Sequence, residues 1–188
     1  MWVDVEARIG LRFWRRDGAG ERLRLEQQFA ELWSEFGASL TRLASTYEAH
    51  SQGREDLLQD IRLAIWMALP RFRSESSLRT FVFRIAHNRA LTYMWQKKKT
   101  DVLTSIEGLE LPDQEKGPES VTLEKVDLEQ LMAAIRALPM PMMQVISLAL
   151  EELPHKEIAE VLGLTENNVA VRLSRARTLL RQKLGEME

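Results

Sequence analysis

The sequence predicts an all-α protein made of two small helical domains joined by a flexible acidic linker. Three observations support this prediction. Apolar residues recur at intervals of three or four, no segment alternates with the period of a β-strand, and an acidic stretch separates two basic ones. The 188 residues are enough for one large domain or two small ones.

The first helical unit contains three predicted helices. An apolar stripe along residues 25–47 predicts one long helix, and a second helix covers residues 57–68 and stops at Pro70. The polar loop 74–77 then caps a third helix, which is expected to run from residue 78 to about residue 98. We therefore place the first domain at residues 25–100.

Two segments lie outside the helical pattern. Residues 101–122 are rich in glycine, proline and acidic side chains, which predicts a linker. Its flexible chain would span roughly 25 Å on average. Residues 1–24 are expected to form a poorly ordered tail or a helix folded against its own domain, and no role is assigned to them.

The second helical unit is predicted within residues 123–188 and ends in a helix-turn-helix. A short amphipathic helix from His155 to Leu162 stops at Gly163, which permits a sharp turn. Thr165 then caps a longer helix that carries five basic residues against the single acid Glu166. In a helix-turn-helix the second helix enters the major groove of DNA. A helical hairpin used only for packing is the alternative.

Segregated charge supports a polyanionic partner, although the formal net charge of the chain is −2. Residues 71–99 hold eight Lys or Arg residues and one acid, with aromatic residues between them. Basic groups neutralise phosphates and flat rings stack on unpaired bases. The loop 73–77 offers hydroxyl and backbone N–H groups for one extruded base. A solvated helix with an ordinary core face is the alternative.

Several functional classes are unsupported. The sequence has no cysteine, which excludes disulfides, thiol nucleophiles and cysteine-ligated zinc. Its three histidines are far apart, and it contains neither a Gly-rich phosphate loop nor a serine-hydrolase motif. The longest apolar run is too short to span a bilayer, and no signal peptide is evident. We expect a cytoplasmic protein that is not an enzyme, with no metal, no cofactor, no small-molecule substrate and no stable membrane insertion.

Two stretches of the sequence, one after the other, resemble two regions of the same protein family. REDLLQDIRLAIWMALPRFRSESSLRTFVFRIAHNRALTYMWQKKK, at residues 54–99, is similar to region two of the bacterial sigma-70 family. KEIAEVLGLTENNV and RLSRAR, within residues 128–184, are similar to region four of that family. The short acidic linker resembles the extracytoplasmic-function (ECF) subgroup. The resemblance implies a promoter-specificity subunit of RNA polymerase, with core polymerase, promoter DNA and an anti-sigma factor as partners.

The resemblance also assigns three sets of contact residues. Residues on one helix would dock on the large catalytic subunit of polymerase: Leu57, Gln59 and Asp60. A loop with its following helix would hold a flipped base and the backbone of the minus-ten element: Phe72, Arg73, Ser74, Ser76, Ser77, Arg79, Arg84, Asn88, Lys97, Lys98 and Lys99. The second helix of the helix-turn-helix would read the minus-thirty-five element: Thr165, Asn167, Asn168, Ala170, Val171, Arg172, Ser174, Arg175 and Arg177.

Three positions depart from the family pattern. Arg62 stands where an aromatic residue is usual, and Ala170 and Val171 replace a polar or basic pair. The apolar pair removes hydrogen-bonding groups but is able to pack on a thymine methyl. Two other functions therefore stay open: a stand-alone helix-turn-helix regulator and a helical adaptor that has lost DNA binding.

Overall fold

The computed structural model describes residues 19–107 and 123–185, and within these ranges it contains seven α-helices and no β-strand. The helices are α1 (Ala19–Tyr47), α2 (Ser51–Ala68), α3 (Leu78–Glu107), α4 (Leu123–Arg136), α5 (Met140–Leu150), α6 (His155–Leu162) and α7 (Glu166–Gly185). A short 3-10 helix, Leu69–Arg71, connects α2 to the loop before α3. The predicted all-α class is confirmed.

The first unit packs α1, α2 and α3 around a common apolar core. Leu40, Leu43, Leu57 and Ile61 are completely buried there, as is Phe83 of α3. The spacing of these residues by three or four places them on one stripe of each helix, so three amphipathic helices enclose them. Pro70 ends α2 as expected, because proline cannot continue the hydrogen-bond ladder of a helix.

The second unit packs α4 to α7 around Ile135, Leu148, Ile158 and Leu173, all at most 1% exposed. Pro139 is the N-cap of α5, so proline again marks a helix boundary rather than a kink inside a helix. The short helix α6 is held on both sides, since it contacts α7 of its own unit and α3 of the first unit.

The predicted end of the third helix was wrong by several residues. α3 does not end near residue 98 but continues to Glu107, so the first part of the predicted linker is helical. Residues 101–107 contain neither glycine nor proline, so the sequence holds no strong helix breaker that would end the helix near residue 98. The rest of the linker, residues 108–122, lies outside the described residues.

At the N-terminus the first helix begins earlier than the apolar stripe suggested. Residues 19–24, predicted to be part of an unassigned extension, form the first turns of α1. The remainder of that extension, residues 1–18, lies outside the described residues.

The two units are in direct contact in this structure. Their buried apolar residues form one continuous cluster, and α3 and α1 of the first unit contact α6 and α4 of the second. The side chain of Arg42 in α1 donates two hydrogen bonds to the carboxylate of Glu151, at 3.1 Å from Nε and 2.6 Å from Nη2. The two helical units are therefore in direct contact, which the prediction of two domains on a flexible linker did not include.

Candidate nucleic-acid interface

The turn between α6 and α7 has the geometry that the sequence predicts. Gly163 adopts a left-handed conformation with φ 66°, which a residue without a Cβ accommodates at little cost. The N–H of Leu164 donates to the carbonyl of Ala159 at 2.9 Å and closes the end of α6. Thr165 Oγ1 accepts a 3.3 Å hydrogen bond from the Asn168 N–H and caps α7.

Helix α7 has one buried side and one outward side. Val169, Leu173, Ala176 and Leu180 are buried against the rest of the second unit. Most of the residues predicted to read DNA are exposed: Thr165, Asn167, Asn168, Val171, Ser174, Arg175 and Arg177. Ala170 and Arg172 are half-buried at the flanks of this side. The basic side of α7 is therefore available for a duplex.

The loop between the 3-10 helix and α3 borders an open cleft of about 650 Å³. The aromatic rings of Phe72 and Phe81 form its apolar wall, with ring centroids 4.8 Å apart. The guanidinium groups of Arg71, Arg73 and Arg84 lie around it. A ring surface next to cations is suited to a flipped base and its phosphate.

The backbone of this loop is strained at one position. Ser74 has φ 58°, a left-handed conformation that costs about 1 kcal/mol or more in a residue with a Cβ. Strained loop residues are common where a chain must present its neighbours to a ligand. Among the predicted contacts of the loop, Ser76 lines the cleft, whereas Ser74 and Asn88 are exposed but do not line it.

Three residues that are predicted to contact the minus-ten element instead donate hydrogen bonds to the second unit. Ser77 Oγ donates to the Glu157 carboxylate at 3.2 Å, and an Arg84 Nη2 donates to the backbone carbonyl of Glu160 at 2.9 Å. Arg79 donates to the backbone carbonyl of Glu151 through Nη2. Helix α6 and the turn before it thus occupy the edge of the surface predicted to meet DNA.

Lys97 is held by a buried carboxylate that sequence reasoning missed. Glu48, 2% exposed, accepts hydrogen bonds from Lys97 Nζ at 2.6 Å, from Tyr93 Oη at 3.0 Å and from the His50 N–H at 2.9 Å. Burial alone would raise the pKa of Glu48, but these donors outweigh it and lower the pKa overall. Lys98 and Lys99 remain exposed.

The same carboxylate explains a glycine at the start of α2. A Cβ at Gly53 would lie 2.5 Å from Tyr93 Oη and 3.0 Å from the Glu48 side chain. Only a residue without a side chain lets α2 approach this hydrogen-bonded centre. No short-range pattern could have identified it, because Glu48 and Lys97 are 49 residues apart.

Of the predicted polymerase contacts, one is buried and two are exposed. Leu57 is completely buried in the core of the first unit, where it supports the helix from inside and is not accessible to a partner in this structure. Gln59 and Asp60 are exposed on α2. Leu63 and Met67, 57% and 42% exposed, continue the same outward face by one and two turns and were not predicted.

Arg62 has a structural explanation. Its guanidinium lies 4.5 Å from the ring centroid of Trp33 on α1, within the range of a cation–π contact. Trp66, one turn later on α2, meets Phe29 edge to face at 5.3 Å. The arginine therefore joins an aromatic contact between α1 and α2 in place of the aromatic residue that the family pattern has there.

The described residues contain neither a metal-binding cluster nor a helix able to span a membrane. Over residues 19–107 and 123–185, no three acidic or histidine side chains are gathered as a metal site would require. None of the helices in the same ranges combines the length and apolarity needed to cross a bilayer.

Comparison with known families matches both units. The family model for Sigma-70 region 2 matches residues 32–100, and the model for Sigma-70, region 4 matches residues 128–180. The α2 face and the loop side of the cleft lie in the first match, whereas the helix-turn-helix and Glu160 at the cleft lie in the second. These two matches together cover most of the chain.

Curated relatives agree with the family models. The chain is 28% identical over 156 residues to the RNA polymerase sigma factor NccH of Alcaligenes xylosoxydans xylosoxydans, covering 81% of this chain and 84% of that protein. It is 26% identical over 138 residues to the ECF RNA polymerase sigma-E factor of Escherichia coli strain K12, covering 69% and 72%.

Solved structures share the fold. CnrH in complex with the cytosolic domain of CnrY superposes with a TM-score of 0.66 at 23% identity, covering 87% of this chain and 91% of that chain. The sigma factor RpoE of Bartonella quintana, in complex with the anti-sigma factor NepR, gives 0.67 at 21% identity, covering 85% and 98%. The chain belongs to the ECF subgroup of the sigma-70 family and is an RNA polymerase sigma factor, a protein of transcription initiation.

Proposed function

We propose that this chain selects promoters by two DNA contacts that act together only on core RNA polymerase. The observation that carries this proposal is the outward side of α7, where Asn167 and Arg175 are exposed opposite a buried stripe and Arg177 is exposed at the edge of that stripe. Asn and Arg are the side chains that pair best with adenine and guanine edges in the major groove. This side would read the minus-thirty-five element.

The cleft beside Phe72 and Phe81 would receive a base of the minus-ten element. Its two rings supply a stacking surface, and Arg71 and Arg73 supply charge for the neighbouring phosphates. Trapping an extruded base favours the opened strand over the closed duplex, because the intact helix cannot offer that base. The chain itself makes and breaks no bond in this scheme, and polymerase performs the chemistry.

The outward face of α2 would dock on polymerase. Gln59 and Asp60 supply polar contacts, and Leu63 and Met67 add exposed apolar surface at helical spacing. An amphipathic helix face of this kind fits another helix, with apolar anchors and polar groups at the rim. Polymerase works in the cytoplasm, so we place this chain there.

The contact between the two units would limit DNA binding by the free chain. Arg79, Arg84 and Ser77 already donate to Glu151, Glu160 and Glu157 of the second unit. Glu160 also lines the cleft and brings an acidic residue to the place where a base would enter. Docking on polymerase would have to separate the units before both DNA contacts form.

An anti-sigma factor would stabilise the inactive chain. CnrH and Bartonella RpoE were each solved with a partner protein, which is CnrY in the first case and NepR in the second. We infer a partner of the same kind here, because any protein that binds the closed arrangement more tightly than the open one shifts the population toward it.

A gel-shift experiment tests the requirement for polymerase. The free chain is expected to bind a promoter fragment weakly, whereas the chain with core polymerase binds it in a sequence-specific manner. Two weak contacts on one tether gain affinity only when their geometry allows both at once. Nanomolar, sequence-specific binding by the free chain would contradict the proposal and favour a stand-alone helix-turn-helix regulator.

A double substitution distinguishes a DNA-reading sigma factor from an adaptor without DNA binding. Arg175→Ala with Arg177→Ala is expected to reduce promoter-dependent transcription at least tenfold, since each arginine contact to DNA contributes about 1–3 kcal/mol. Arg24→Ala is the matched control, because it removes an exposed cation from α1, far in sequence from the helix-turn-helix. Unchanged transcription with the double variant would favour an adaptor without DNA binding.

A further inference from the structure

The outward side of α7 carries an apolar residue at its centre. Val171 is 41% exposed, whereas Val169 and Leu173 are completely or almost completely buried. Successive residues of an α-helix are about 100° apart, so Val171 points directly away from the midpoint between these two. Burial within its own unit therefore does not account for a valine at this position.

Polar and charged residues surround this valine. Asn167 lies one turn earlier and Arg175 one turn later, each about 40° around the helix axis from Val171. Asn168 and Ser174 lie about 60° to either side, and all four are exposed. Any approach that brings these groups to base edges in the major groove brings Val171 to the middle of the contact.

A valine in this position has a restricted chemistry. It neither donates nor accepts hydrogen bonds, and in a helix it strongly prefers one χ1 rotamer, so its two methyl groups are held in one direction. Valine also lowers helix propensity slightly relative to alanine. A valine at an exposed site of a DNA-reading helix therefore indicates an apolar partner in the groove.

In the major groove, the edges of the base pairs present an apolar group that could contact this valine. The 5-methyl group of thymine is the apolar feature there, and the other exposed positions are hydrogen-bond donors or acceptors. We propose that Val171, with Ala170 beside it, reads a thymine methyl group in the upstream promoter element. This inference rests on the proposed entry of α7 into the major groove, and it identifies the base that the helix selects there.

Replacing thymine by uracil tests the proposal, because this change removes only the methyl group. The assay uses the full chain with core polymerase on a promoter that this holoenzyme transcribes, with each upstream thymine replaced singly by deoxyuridine. At one or two positions we expect a loss of about threefold to fivefold in promoter affinity, as the burial of one methyl group implies. At cytosines, 5-methylcytosine reports whether any methyl in the groove suffices.

A variant assigns the effect to the valine. Val171→Ala is expected to bind the thymine promoter threefold to fivefold more weakly and to lose its sensitivity to uracil. Leu150→Ala, which removes an exposed apolar side chain of α5, is the matched control and should keep the uracil effect. Circular dichroism of both variants checks that α7 is still folded.

Each outcome decides the question. If uracil in place of each upstream thymine in turn leaves transcription unchanged, Val171 does not read a thymine methyl group. The proposed sigma function would stand in that case. A uracil effect of the same size in Val171→Ala would assign the methyl contact to another group and also overturn the reading by Val171. Failure of the holoenzyme to transcribe any promoter would instead overturn the proposed function, and the inference with it.

Discussion

His87 lies completely inside the first unit, where its side chain meets Tyr47 of α1. It is 3% exposed, and its Nδ1 lies 2.8 Å from Tyr47 Oη. Burial lowers the pKa of His87 to about 4 and raises that of Tyr47, since both charged forms lose their hydration there. The imidazole is therefore neutral in the folded protein at physiological pH.

The pH dependence of stability follows from this burial. Unfolded His87 has a pKa near 6.5 and the folded residue about 4, so the unfolded chain binds more protons between these values. Its contribution is complete above pH 6.5 and is lost as the pH falls toward 4. Between pH 7 and 5 we expect the free energy of unfolding to fall by about 2 kcal/mol.

Urea denaturation at several pH values measures this effect. His87→Gln keeps a polar side chain beside Tyr47 but does not titrate, so its stability should change much less over the same range. Equal pH dependence in both proteins would show that His87 is not the responsible group. Glu48, whose pKa is lowered in the folded state, should contribute in the same direction but at lower pH.

Single residues also show where prediction from sequence succeeds and fails. Gly163 and Thr165 could be assigned because turn and cap chemistry is local. The pair Arg42–Glu151 could not, since 109 residues separate its members and only the packed helices bring them together. Leu57 was assigned to a partner because a resemblance transfers positions along the chain and does not say which side of the helix is buried.

At the scale of the helices, α5 and α6 end in the same left-handed backbone conformation. A glutamate adopts it after α5 and a glycine adopts it after α6. Gly163 has φ 66° after α6, and Glu152 has φ 59° after α5. In both cases the next N–H returns to the carbonyl five residues earlier, from Leu164 to Ala159 and from Leu153 to Leu148. Glycine suits this conformation, and glutamate adopts it under strain.

Paired substitutions test this account of the helix ends. Gly163→Ala should destabilise the protein by about 1 kcal/mol from backbone strain alone, because a Cβ there meets no atom within 4 Å. Glu152→Gly should stabilise it by a similar amount through removal of that strain. Denaturation midpoints of the two variants should therefore move in opposite directions, and a less stable Glu152→Gly would contradict the account.

Helix positions were predicted better than helix limits. The stripes that became α1, α2 and α3 were visible because their apolar residues recur every three or four positions. The acidic composition after residue 100 predicts a linker, whereas α3 continues to Glu107. Charge composition alone does not end a helix.

At the scale of the whole molecule, the two units are closed against each other through a junction that contains buried carboxylate oxygens. Glu151 is only 5% exposed, yet its partner Arg42 reaches it from a largely exposed position. Within the described ranges, Glu157 Oε2 is buried without a hydrogen-bond partner at the same junction. An unsatisfied buried carboxylate oxygen opposes closure, so the junction is suited to opening when a partner competes for it.

Removing Arg42 should therefore open the chain. Arg42→Ala leaves the Glu151 carboxylate without its charged donor, which costs about 1–3 kcal/mol as long as the carboxylate stays buried. Small-angle scattering should show a larger radius of gyration, and the free chain should bind promoter DNA more tightly. Arg24→Ala, which removes an exposed cation from the same helix, should change neither property. An unchanged radius for Arg42→Ala would show that the pair does not hold the units together.

The relation of the two units could not be predicted from sequence. Their separate helical patterns, the intervening acidic stretch and the family resemblance all pointed to two folded bodies on a tether. The contacts between α3 and α6 involve residues about 76 positions apart, such as Arg84 and Glu160, and no periodic pattern encodes such a pairing. The shared core is therefore visible only in the structure.

Run-off transcription with core polymerase on a pool of genomic templates tests the central claim most directly. We expect this chain to direct initiation from a small set of templates that share two short elements, and we expect Arg175→Ala with Arg177→Ala to abolish that selection. Initiation that is independent of the added chain, or selection that survives the double substitution unchanged, would contradict the account.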